Sequence, residues 1–117
     1  MIQVLHNNRC GKSRQCLQLL DASEQDYETI DYLKNPLTFR EIKALLKKLG
    51  LDAIDIVRTN ERQWQPFKDQ KLSNDDIVRL LALHPILLQR PIVVNGSKAV
   101  VARPAERLSL VLPDFSV

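Results

Sequence analysis

The alternation of hydrophobic and polar positions changes period several times along the chain, and each change marks an element. Ile2 to His6 reads as a short strand, followed by a turn around Asn7, Asn8 and Gly11. From Lys12 the spacing becomes helical, with Cys16, Leu17, Leu19 and Leu20 on one apolar face. Tyr27 to Leu33 alternates and predicts a second strand, which Asn35-Pro36 breaks. Thr38-Phe39-Arg40-Glu41 has the form of a capping box, in which each end residue satisfies an orphan amide of the other. The helix behind it places Ile42, Leu45, Leu46 and Leu49 on one face and stops at Gly50. Asp52 to Arg58 reads as another short helix, and Glu61 to Lys71 as polar, irregular chain. Ser73 opens a helix that runs to about Leu83 and ends before Pro85.

Arg90-Pro91 then leads into a strand at Ile92-Val93-Val94. Asn95-Gly96 is a strong hairpin signal, and Lys98 to Ala102 is the returning strand. Pro104 suits the first position of a final helix, where a missing N–H is no loss, and that helix ends near Pro113. The element order is β-α-β, a helical insertion, then β-β-α. This predicts a single α/β domain over residues 1–117, with a mixed sheet flanked by helices in the thioredoxin-like arrangement.

Composition narrows the class without changing that picture. The chain has 117 residues, 44% hydrophobic and 26% charged, which excludes disordered and collagen-like classes. No apolar stretch approaches the ~20 residues of a membrane span. The longest, Leu80 to Leu88, is interrupted by His84 and Pro85. Seventeen Lys and Arg against 14 Asp and Glu leave a net charge of +3, too little to predict a nucleic-acid partner. The first residues carry no basic leader, so the expected compartment is the reducing cytoplasm. Two cysteines do not make a secreted disulfide framework.

The candidate chemistry begins at Cys10, between the first strand and the first helix. The first amides of a helix lack intrahelical partners and carry partial positive charge, so they favour a thiolate. Arg9, Lys12 and Arg14 add positive charge nearby. Such surroundings lower a cysteine pKa and make the nucleophilic form available at neutral pH. A buried, unreactive cysteine remains the alternative on position alone. Ser13 lies three residues on, where its hydroxyl can donate to the Cys10 thiolate or bond locally. His6, at the strand end, is either a support for the thiolate or a hydrogen-bonded strand-end histidine. Cys16 points about 240° away around the helix, on the apolar side, and reads as core.

Competing motifs fail on spacing. A tyrosine-phosphatase loop needs arginine at the position held by Cys16, and a Cys-x-x-Cys pair needs cysteine at the position held by Ser13. His6, Cys10, Cys16 and His84 lack the paired spacing of structural zinc motifs.

The segment His6-Asn7-Asn8-Arg9-Cys10-Gly11-Lys12-Ser13-Arg14 resembles the active-site loop of the glutaredoxin-coupled arsenate reductases, thioredoxin-like proteins related to the Spx regulators. The resemblance continues through Val57-Arg58-Thr59-Asn60, His84-Pro85-Ile86-Leu87, Arg90-Pro91-Ile92-Val93-Val94, Arg103-Pro104 and Val111-Leu112-Pro113. It implies that Cys10 is the nucleophile, that His6 and Ser13 tune it, and that Arg58, Arg90 and Arg103 hold the oxyanion. It also implies a cis bond between Arg90 and Pro91. One departure is Asn8, where the family often has proline.

Arginine suits this role, because its forked donors match an oxyanion and stay charged at any working pH. The implied reaction reduces arsenate to arsenite. Cys10 forms a thiol–arsenate adduct, glutathione reduces it, and glutaredoxin resolves the mixed disulfide. Glutathione is then a co-substrate, glutaredoxin a partner, and no metal or tightly bound cofactor is required. Two other readings share the fold: a glutathione-dependent thiol oxidoreductase with a different substrate, and an Spx-like regulator that binds RNA polymerase. The regulators commonly use a Cys-x-x-Cys switch, which Ser13 removes here.

Overall fold

The computed structural model describes residues 2–112. They fall into two compact units. The first takes the chain up to Tyr32 and from Arg90 onward, and the second is Leu33–Gln89, the expected helical insertion.

The first unit holds the sheet. Strand β1 is Ile2–Leu5, helix α1 Gly11–Ala22, β2 Tyr27–Ile30, β3 Ile92–Asn95 and β4 Lys98–Val101. The strand order is β2-β1-β3-β4. β1 and β2 run parallel through the α1 crossover, whereas β3 is antiparallel to both β1 and β4. Gly96 turns the β3–β4 hairpin at φ +62°, a conformation that costs glycine nothing. Ile92, Val93 and Val94 are all buried, so β3 reads as a continuous apolar run because both its faces are covered. Val4, Val93, Val100, Cys16, Leu20 and Leu108 share one core. Truncating a fully buried leucine such as Leu20 to alanine costs about 2–5 kcal/mol in such a core.

Two elements of this unit differ from the sequence expectation in extent or type. The second strand stops at Ile30 rather than Leu33. Its neighbour β1 ends at Leu5, opposite Ile30, and His6 N–H donates to Ile30 O at 3.0 Å. The final helix is a 3-10 segment, Ala105–Leu110. Pro104 is extended, at ψ 164°, so it stands outside the helix instead of at its first position. The expected helix end at Pro113 lies outside the described residues. The peptide bonds Arg90–Pro91 and Arg103–Pro104 are both cis.

The second unit contains α2, Phe39–Leu49, and α3, Asn74–Leu83. Both begin with a capping box, Thr38 with Glu41 and Ser73 with Asp76. Lys43 Nζ reaches Asp75 Oδ1 at 2.7 Å, and the Arg79 guanidinium lies 5.4 Å from the Phe39 ring centre. The expected helix Asp52–Arg58 shrinks to a 3-10 turn at Ala53–Ile56, because Val57 leaves it to bridge Leu88. The stretch read as irregular carries a 3-10 turn at Arg62–Phe67. Trp64 anchors that turn by burial and sits 6.2 Å from Phe67, a side-chain contact that periodicity does not reveal. No helix of the described residues is long and apolar enough to cross a membrane.

Candidate active site

The loop between β1 and α1 is tied to itself. Asn7 O accepts from Cys10 N–H at 3.0 Å, and Asn7 Oδ1 accepts from Arg9 N–H at 2.9 Å. Asn7 N–H donates to Ser13 Oγ at 3.4 Å. Arg14 Nη1 donates to Asn8 O at 2.8 Å. These bonds set the entry of the chain into α1 and place Cys10 at its N-cap.

Cys10 there closes no side-chain cap bond, and the first turn of α1 contains no acidic residue. The helix amides are left facing the sulfur. Burial alone would raise the Cys10 pKa. The Ser13 amide, the Arg90 guanidinium, the Lys12 amide and the Ser13 hydroxyl more than offset it, and bring it from an ordinary 9.0 down to about 7. Close to half the thiol is then ionised at neutral pH. Cys10 is 9% exposed, less open than a turn position implied.

The same helix supplies the contrast. Cys16 is fully buried, and desolvation pushes its pKa up to about 12. Both cysteines are free thiols.

The sheet register brings two of the expected arginines to the loop's end of the sheet. Ile92 pairs with Leu5 on one side and Val101 on the other, and Ala102 N–H donates to Pro91 O at 3.0 Å. The residues next along are Arg90, Arg103 and, after Leu5, His6. Arg90 is partly buried, and its Nε and Nη1 atoms are inaccessible without a hydrogen-bond partner among the described residues. Arg103 is exposed. Arg58 belongs to the second unit, where its Nε pairs with Glu61 Oε1 at 3.2 Å and its amide donates to Leu87 O at 2.7 Å.

His6 is 8% exposed, and its Nε2 lies 2.7 Å from Asn8 Oδ1. Its hydrogen bond therefore goes to Asn8, and Cys10 owes its lowered pKa to other groups. Among the described residues no cluster of three or more His, Cys, Asp or Glu could hold a metal ion.

A thiolate at an uncapped helix start, beside an arginine with unpaired buried donors, is an arrangement for nucleophilic attack on an anion. The family model described as the ArsC family matches residues 5–110. The chain belongs to the ArsC family.

Its ArsC relatives include an arsenate reductase of Neisseria meningitidis serogroup A, 39% identical over 95% of this chain and 97% of the relative. An arsenate reductase of Escherichia coli K12 is 31% identical over 97% of this chain and 82% of the relative. The solved structure of an arsenate reductase from Vibrio cholerae superposes with a TM-score of 0.90 at 33% identity, covering 94% of this chain and 96% of that one. The fold is the thioredoxin-like α/β fold of that family, with its mixed four-stranded sheet flanked by helices.

Two participants in the ArsC loop escaped the sequence reading. Asn7 holds the loop from both its backbone and its side chain, as asparagine does in local turns. The Asn7-Asn8 pair was the available signal. Asn8 looked like a mere loss of proline, because only coordinates reveal its bond to His6.

Proposed function

We propose that this ArsC chain reduces arsenate to arsenite with glutathione and glutaredoxin, through a thiolate on Cys10. The observation that supports it most is Arg90. Two inaccessible guanidinium nitrogens without a partner, on a half-buried side chain, cost free energy unless something accepts from them. A tetrahedral oxyanion does so, and brings its central atom toward the thiolate that Arg90 already favours.

In this reading Cys10 Sγ attacks arsenic and displaces a hydroxide, which leaves as water after protonation. Arginine charge offsets the repulsion between two anions. The thiolate of glutathione attacks Cys10 Sγ. The sulfur–arsenic pair of electrons departs on arsenic, which falls from the pentavalent to the trivalent state. A Cys10–glutathione disulfide remains, and a glutaredoxin thiol reduces it. All reducing electrons come from thiols outside the chain, so one catalytic cysteine suffices and no bound cofactor enters. Ser13 keeps the sulfur ionised through its amide and hydroxyl. Arg103 and Arg58 are further oxyanion donors on the strength of their motifs, and His6 supports the loop.

Purified protein with arsenate, glutathione and glutaredoxin should form arsenite, and omission of any one component should stop it. Glutathione oxidation without any need for arsenate would instead favour the thiol oxidoreductase with a different substrate. Turnover that thioredoxin sustains and glutaredoxin does not would overturn the proposed coupling.

A further inference from the structure

His6 poses an unsolved hydrogen-bond problem. The ring is buried, one nitrogen touches Asn8 Oδ1 at 2.7 Å, and the other, Nδ1, is inaccessible and without a partner among the described residues. An amide oxygen only accepts, so Nε2 must carry a proton. A proton on Nδ1 as well would make a buried imidazolium whose second donor has no acceptor, a costly state. The remaining form is the neutral ring with hydrogen on Nε2 and a bare lone pair on Nδ1.

We propose that Asn8 is a positioning residue, whose side-chain carbonyl fixes His6 as the neutral Nε2–H tautomer with Nδ1 as a buried acceptor beside the nucleophile loop. The ring cannot rotate without breaking this bond, and His6 N–H is already committed to Ile30 O at 3.0 Å. Asn8 is clamped in turn, because its backbone oxygen accepts from Arg14 Nη1 at 2.8 Å. The loop thus runs from the sheet end at His6, through Asn8, to Arg14 on α1, and Cys10 lies inside that closed span. A proline at this position has no side-chain acceptor, so a ring next to it would lack this control. The inference rests on the proposed function only in taking Cys10 as the reacting thiol.

Long-range nitrogen–proton NMR correlation of the imidazoles in the full chain at neutral pH reads the tautomer directly, with no arsenate present. His84 is the other histidine, and His84→Gln assigns the two ring systems. The expected pattern for His6 is a pyrrole-like Nε2 and a pyridine-like Nδ1. Asn8→Gln keeps an amide carbonyl beside the ring without adding charge and should keep the pyridine-like Nδ1. Asn8→Leu removes the acceptor and should give mixed tautomers. A wild-type ring protonated at Nδ1 overturns the proposal even if no variant folds. An unchanged tautomer in folded Asn8→Leu overturns it too. Arsenite formation by the wild-type protein, measured separately, judges the proposed function independently of either result.

Discussion

Helices α1 and α2 begin in opposite ways. At the start of α2, Thr38 Oγ1 accepts from Glu41 N–H at 3.2 Å, and Glu41 Oε1 accepts from Thr38 N–H at 3.0 Å. Ser73 and Asp76 repeat the arrangement at α3, where the Ser73 amide holds the Asp76 carboxyl below its usual range. At α1 the cap position is a cysteine that closes no such bond, and no carboxylate occupies the first turn. Two helices consume their own positive ends. The third leaves its end open, at some cost in helix stability, and that open end is where the sulfur sits. An uncapped start in a chain that caps its other α-helices is thus a functional signal.

The largest break in this contrast is removal of the sulfur. Cys10→Ser should abolish arsenate reduction, whereas Cys16→Ser should keep most of it. The reason is the split between their thiols, one drawn down to about 7 and the other pushed up to about 12. Turnover assays on folded variants decide the point, and equal loss in both would refute a single-cysteine mechanism.

Arg90 comes next. Losing one preorganised charged donor typically costs about 10²–10³ in rate, so Arg90→Ala should fall in that range with folding retained. Arg90→Lys should also be impaired, since an ammonium cannot reproduce the fork. Wild-type kinetics in Arg90→Lys would argue against bidentate binding there.

A smaller and sharper test makes the helix starts more alike. Lys12→Glu puts an acid in the first turn of α1, as Glu41 is in α2. It should raise the Cys10 pKa and slow its alkylation at neutral pH. Thr38→Ala does the reverse experiment on α2, costing about 1 kcal/mol of stability with Cys10 reactivity unchanged. Denaturant melts and alkylation rates separate the two effects.

The smallest effect is on stability against pH. The fold lowers the Cys10 pKa below its ordinary 9.0, so it favours the ionised form. That contribution is complete above pH 9.0 and is lost as pH falls through about 7. Cys16 has the opposite sign, because the fold favours its neutral thiol. Its contribution is complete below pH 9.0 and declines as pH rises towards 12. The stability gap between wild type and Cys10→Ser should therefore widen from pH 7 to 9, as measured by denaturant titration.

Much of this was legible in the chain. The capping box at Thr38, the stop at Gly50 and the Asn95-Gly96 hairpin are local signals, and each fell where local chemistry put it. The end of β2 at Ile30 was not local, since it follows from where β1 stops. The buried Trp64 that organises Arg62–Phe67 was equally hidden. At the candidate site, position singled out Cys10 and Ser13, whose surroundings a helix start largely dictates. It overrated nearby charge. Arg14 is engaged by Asn8 O, and amides with Arg90 lower the thiol pKa. Arg90 lies just before β3, distant in sequence, so the resemblance, and not spacing, singled it out.

The central claim is that the open start of α1 and Arg90 together make Cys10 an anion-receiving thiolate. Brief iodoacetamide exposure followed by peptide mapping tests it most directly, run from pH 5 to 9 with and without arsenate, in wild type and Arg90→Ala. The account predicts rapid labelling of Cys10 with a midpoint near 7, slow labelling of Cys16, and protection of Cys10 by arsenate. In Arg90→Ala that protection should disappear and the midpoint should rise. Equal labelling of both cysteines in folded protein, or arsenate protection that survives the loss of Arg90, would contradict it.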